Sequence, residues 1–234
     1  MKLYRFRPLK GVERDIDGAK GSDFRRAKMI LEKKKFWCSS FSELNDPMEG
    51  VFYGSQKDIH DVVIMKNRFK ICSFCNMKAF RNPAMWGYYA NGFKGFVIEI
   101  ETDETSVKEK KGKIIEMDYN DKIPSLKDLG NVESIEKVLG IKSTAWEHEG
   151  ERRFLIESDD KEHEIGKITK VYFGNPYGDV SNKKDIYEKS ESLTHYEKMK
   201  ESLKDFALDH GIDCFSVEIK DGKVAPGKKL EKEH

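Results

Sequence analysis

Short runs in which apolar residues alternate with polar ones recur along this chain, and helical stretches interrupt them in no fixed rhythm. Tyr4 and Phe6 alternate with Leu3, Arg5 and Arg7, and Phe96, Ile98 and Ile100 share a face against Val97 and Glu99. Phe215, Val217 and Ile219 repeat the pattern further on. Period two of this kind marks a strand. Residues 69–74, 112–119, 153–156 and 168–173 are further strand candidates, and 36–39 a shorter one. Helical spacing is seen in Phe24, Ala27, Ile30 and Leu31 behind Ser22 as N-cap, and in 84–90 between Pro83 and the stop at Asn91-Gly92. It recurs in 134–142, and in Leu193, Tyr196, Met199, Leu203 and Phe206 ahead of Gly211. A doubly wound fold needs strand and helix in strict turn. The pattern therefore predicts an α+β fold of mixed, mostly antiparallel sheets with flanking helices.

No repeat and no linker divides the chain, so residues 1–228 are expected to form one domain, with a C-terminal helix and strand in 183–220 and a flexible tail at 229–234. Fourteen Phe, nine Tyr and three Trp supply the core that a disordered chain lacks. Lys and Arg (43) nearly cancel Asp and Glu (42), which removes the electrostatic case for a dedicated duplex-DNA binder. The helix holding Arg25, Arg26, Lys28, Lys33, Lys34 and Lys35 reads as a solvated face, with a phosphate groove as the alternative. No apolar run follows Lys2, Arg5 and Arg7, and none approaches the roughly 18 residues of a membrane span. A cytoplasmic protein with no membrane partner and reduced thiols is expected. Neither glycine fingerprint, G-x-G-x-x-G or G-x-x-x-x-G-K-[ST], is present.

Few residues offer chemistry. Cys72-Ser-Phe-Cys75 has the spacing of a zinc or redox pair, but only Cys38 and Cys214 remain as partners, each inside a strand candidate, so buried thiols are the plainer reading. His148-Glu149-Gly150-Glu151-Arg152 lacks the second histidine of H-E-x-x-H, and no metal is expected. Trp146, Glu147, Glu149 and Glu151 precede a strand beginning near Arg153. If that run is extended, alternation puts its three carboxylates on one side. They form either a solvated edge paired with Arg152 or Arg153, or a cleft in which one carboxylate stabilises a developing cation. Asn45, Asp46 and Glu49 read first as a turn and second as a cleft loop. Trp86, Tyr88 and Tyr89 read first as core and second as a stacking surface.

The segments LYRFR (3–7), FWCSSFSELNDPMEG (36–50), ICSFC (71–75), NPAMWGYYANGFKGFVIEI (82–100), WEHEGERRF (146–154) and VYFG (171–174) together resemble the bacterial domain-of-unknown-function family number 2971, over about residues 3–174. That resemblance implies no activity.

A second resemblance implies one. Arg5 on an early strand, Ser73 on a later one and Glu149-Gly150-Glu151 are similar in order to the arginine–serine–glutamate ADP-ribosyltransferases, with Cys75 standing where a second serine belongs. It implies an ADP-ribosyltransferase-like fold with NAD as the substrate, acting as an ADP-ribosyltransferase or NAD glycohydrolase, in a toxin or phage-defence setting. Cleavage of the nicotinamide–ribose bond passes through an oxocarbenium-like state that a carboxylate stabilises. Glu151 would take that role, with Ser73 positioning it and Glu149 orienting an acceptor, itself a protein or a nucleic acid. Arg5, beside Tyr4, would grip the pyrophosphate bidentately, and Trp86 and Tyr89 would stack on a ring. The alternatives are a non-catalytic nucleotide- or peptide-binding protein, and a protein acting on nucleic acid.

Overall fold

The structure is a computed structural model and describes residues 1–10, 22–44, 51–123, 125, 132–178 and 190–232. Asn45, Asp46 and Glu49 lie outside the described residues. In chain order the elements are β1 (Lys2–Pro8), α1 (Asp23–Lys33), β2 (Phe36–Trp37), β3 (Ser39–Ser40), α2 (Gln56–Arg68), β4 (Phe69–Cys75), α3 (Met77–Phe80), α4 (Pro83–Tyr89), β5 (Gly95–Glu101) and α5 (Glu104–Glu109). There follow β6 (Gly112–Glu116), β7 (Asp118–Tyr119), α6 (Val132–Leu139), β8 (Ile141–Lys142), β9 (Glu151–Glu157), β10 (Glu162–His163), β11 (Lys167–Phe173), α7 (Glu191–Asp209), β12 (Asp213–Lys220) and β13 (Lys223–Leu230). The fold is α+β, with mixed, mostly antiparallel sheet pairing.

The chain divides into two compact units and passes between them four times, so no single linker marks the division. The first unit holds residues 1–35, 77–101 and 166–234. Its strands run in the order β13-β12-β11-β5-β1, antiparallel except for the β11–β12 pair. A parallel pair needs a crossover, and α7 lies in that connection. Leu193, Tyr196, Met199 and Leu203 are buried as the helical stripe requires, while Phe206 is only half-buried, beneath the Lys28 ammonium. Ser22 caps α1, accepting from the Arg25 amide at 3.1 Å, and Phe24, Ala27 and Leu31 form its buried face. Asp221 and Gly222 both take positive φ (51° and 71°), the geometry of a two-residue hairpin turn, and feed β13. That strand replaces the expected start of the tail at 229. Its Lys-Val-Ala-Pro-Gly-Lys-Lys-Leu lacks alternation, and Pro226 with Lys228 and Lys229 suits the last strand in the order.

Two glycines of this unit are fixed by close backbone approach. A Cβ on Gly174 would lie 2.0 Å from the Phe93 carbonyl oxygen, and one on Gly95 would lie 2.4 Å from that of Arg7. The Tyr196 hydroxyl reaches the Gly174 carbonyl at 2.7 Å and that of Gly95 at 3.2 Å, pinning α7 to this crossing. Gly174→Ala is expected to cost more than about 2 kcal/mol, because backbone cannot yield as a side-chain tip does. A urea midpoint unchanged from wild type would refute this.

The second unit holds residues 36–76 and 102–165. Here β4, β9 and β6 pair antiparallel in that order, with β3 also pairing β4, while β2–β10 and β7–β8 are separate short pairs. Val62 of α2 and Ile135, Val138 and Leu139 of α6 pack with Phe69, Ile71 and Leu155. Helix α2 was not legible in the sequence, because its Ile59, Val62, Val63 and Ile64 are β-branched and mask the helical spacing. Its Lys66 is buried over the Phe41 and Phe52 rings, and burial lowers its pKa to about 8. Opposite the cluster, the Phe154 ring closes over Gly112, where a Cβ would come within 2.4 Å of it.

Candidate functional site

The site of the second unit is built on two neighbouring strands. In the β4–β9 pair Ser73 stands opposite Arg153 and Cys75 opposite Glu151. Opposed residues of an antiparallel pair project to one face, so these four side chains share it. Glu151 opens β9 and is only 5% exposed, and Arg153 is fully buried. The Arg153 guanidinium holds the Glu151 carboxylate through Nε to Oε1 (2.8 Å) and Nη2 to Oε2 (3.2 Å). Its Nη1 donates to the Leu139 carbonyl oxygen (2.8 Å), where a cation also meets the negative end of α6. The Ser73 hydroxyl hydrogen-bonds to the same carboxylate. Ser73 and Glu151 therefore meet.

A second group of side chains arrives from the segment before β9. Residues 144–149 form a 3-10 helix, not the extended run that would align three carboxylates. Asp121 fixes its start, accepting from the Ser143 hydroxyl and the Thr144 amide at 2.9 Å each. Gly150 ends it in the left-handed region (φ 46°), where a Cβ would meet the Asn76 side chain at 2.6 Å. The tighter helix turns Glu147 outward to solvent and Glu149 inward. The Lys142 ammonium then bridges Glu149 Oε2 at 2.5 Å and Glu151 Oε2 at 2.9 Å, with its charge 5.3 Å from the Trp146 ring centre. The Tyr119 hydroxyl accepts from the Glu151 amide at 2.7 Å.

Burial alone would raise the Glu151 pKa, but Arg153, Lys142 and Ser73 more than reverse it and hold the carboxyl at about 2. For Lys142, burial favours the neutral amine, and the Glu151 and Glu149 carboxylates overcome it, so the ammonium is held far above its ordinary value. Burial pushes Tyr119 up to about 12. The cluster is two cations on two carboxylates, closed by neutral hydroxyls.

Arg5, Tyr4, Trp86 and Tyr89 belong to the first unit. Arg5 stands half-buried on β1 of the first unit. Tyr4 and Trp86 are core side chains and offer no face for a ligand ring. Tyr4 packs on Phe80 and its hydroxyl donates to Glu99 at 3.2 Å. Trp86, 0% exposed, donates from Nε1 to the Phe80 carbonyl oxygen and stacks on Phe93. Tyr89, with Tyr88 edge-on beside it, is exposed. Cys38, Cys72, Cys75 and Cys214 are all buried. Among the described residues no group of three or more His, Cys, Asp or Glu could hold a metal ion, and no helix is long and apolar enough to cross a membrane.

The sequence reading passed over Lys142 and Tyr119, and treated Arg153 only as a surface partner. It also missed a polar cluster in the first unit around Glu99, 1% exposed in the middle of β5. Its carboxylate accepts from Lys2 (3.1 Å), Tyr4 (3.2 Å), Thr169 (3.1 Å) and Tyr172 (2.9 Å). The β11 register shift between Ile168 and Lys170 falls at Thr169. The available signal was a charge between isoleucines, interrupting the apolar run that begins at Phe96. No family model, curated protein or solved structure matches the chain.

Proposed function

We propose that the chain cleaves the nicotinamide–ribose bond of NAD, passing the ADP-ribosyl group to water or to an acceptor, with Glu151 as the carboxylate facing the developing ribosyl cation. The single observation that carries the reading is the hydrogen bond between Ser73 and an ionised, buried Glu151. It is the pairing that the resemblance to arginine–serine–glutamate transferases asks for, and it is supplied by strand register, not by chance proximity of loops. Glu149, tied to Glu151 through Lys142, takes the place of the acceptor-orienting carboxylate. The reading for this unit stands without Arg5. A toxin or phage-defence effector is the setting that such an activity fits.

The test is nicotinamide release from NAD by wild type and Glu151→Gln, alone and with cell extract. The wild type is expected to release nicotinamide, and the variant to be slower by about 100-fold or more, the scale of losing one electrostatic partner of a transition state. No release by wild type in either condition overturns the activity.

One observation favours a second reading, a nucleotide-binding protein without turnover. Arg153, Lys142 and Ser73 already occupy the Glu151 oxygens, so its charge is largely answered within the protein. On that reading NAD or a related nucleotide raises the melting temperature of wild type and Glu151→Gln alike, and no product forms.

A further inference from the structure

Lys142 is the unassigned charged group that touches both candidate carboxylates, and it does so from a different element. It stands on β8, directly after α6 and Gly140, while Glu149 belongs to the 3-10 helix and Glu151 to β9. Its single ammonium lies 2.5 Å from Glu149 Oε2 and 2.9 Å from Glu151 Oε2, so one oxygen of each carboxylate is taken by the same cation. Arg153 meets Glu151 through Nε and Nη2 and the Leu139 carbonyl oxygen through Nη1, so it ties the same carboxylate to the end of α6.

We infer that Lys142 is a positioning residue, which orients Glu149 and Glu151 together by holding one oxygen of each. This rests on the NAD-cleaving reading and deepens it. When the C1′–N bond of a ribosyl pyridinium breaks, its electron pair passes to the ring nitrogen and cancels the positive charge there. Nicotinamide leaves neutral, without taking a proton. The ribosyl cation then bonds to a water oxygen, and that water gives one proton to solvent. That step asks the site for an anionic carboxylate facing the ribosyl cation, held in one orientation. A buried ammonium shared between Glu149 and Glu151 fixes the two carboxylates relative to one another and opposes the protonation of either. Ser73 and Cys75 line the β4 side, and Arg153, Tyr119 and His148 are the other titratable groups around the pair.

The experiment compares wild type, Lys142→Met and Lys142→Arg by carboxyl NMR titration of glutamate-labelled protein and by pH profiles of nicotinamide release. In wild type the Glu151 carboxyl is expected not to titrate above about pH 4. In Lys142→Met its midpoint rises by about one pH unit or more, and the acid limb of kcat rises with it, while KM stays within about twofold. Lys142→Arg restores both. A folded Lys142→Met with the wild-type titration and pH profile overturns the role. If that variant does not fold, a wild-type Glu151 carboxyl titrating above about pH 5 overturns it instead. Absence of nicotinamide release overturns the activity, and the titration still decides Lys142.

Discussion

Arg153→Met is expected to cost about 3–5 kcal/mol, a large share of the 5–15 kcal/mol that holds a typical domain together. The guanidinium is fully buried and serves two structures at once. Its loss removes two donors from the Glu151 carboxylate, 5% exposed, and leaves the Leu139 carbonyl at the end of α6 without its 2.8 Å partner. Methionine fills much of the volume, so the effect reports charge and hydrogen bonding more than a cavity. The double variant Arg153→Met/Glu151→Gln is expected to recover part of the loss, since the stranded charge is the costly species. Urea denaturation of both reads the result. A single-variant loss below about 1 kcal/mol, the range of an exposed pair, would refute the buried network.

The same network sets a pH dependence. Its cations hold the folded Glu151 carboxyl at about 2, below the ordinary 4.5, so its stabilisation is fully present above 4.5 and is lost as pH falls through about 2. The difference is worth roughly 3 kcal/mol. Without Arg153 the acid-induced loss should begin at higher pH, which thermal melts between pH 3 and pH 7 would follow.

Glu99→Ala is the second large effect, in the first unit. Register sets Tyr4 and Lys170 opposite Glu99 on the two flanking strands, and Tyr4 and Tyr172 are both buried. Removing the carboxylate leaves two buried phenols and the Thr169 hydroxyl without this acceptor, while Lys2, at the surface, returns to water. At about 1–3 kcal/mol for each stranded buried group, a total loss of roughly 3–5 kcal/mol is expected. Glu99→Gln keeps the size and one acceptor oxygen and should cost about half as much or less. Equal midpoints for the two variants would show that the hydroxyls find other partners. Burial works to raise the Glu99 pKa, and Lys2, Tyr172, Lys170 and Thr169 together lower it below the usual carboxylate value. This group too stabilises above the carboxylate range and loses its contribution on acidification.

The sequence by itself determined the elements whose signals are local. Ser22 before Phe24, Asn82-Pro83 at the start of α4 and Asp221-Gly222 before β13 each act within a few residues, and the apolar stripe of α7 and the alternation of β1 and β5 are read within one element. These sufficed for the α+β class. Tertiary structure alone decided the site. Whether residues 144–149 extended or coiled depended on Asp121, more than 20 positions earlier in the chain, and that choice separated Glu147 from Glu149. Whether Glu151 was a solvated edge or a buried ion depended on strand register and on an arginine and a lysine anchored at the end of α6. Glu99 depended on Tyr4 and Tyr172, each some seventy or more residues distant. A charge in a strand carries no mark of its partners, because Coulomb and hydrogen-bond terms act through space, and only the folded chain sets which groups share it.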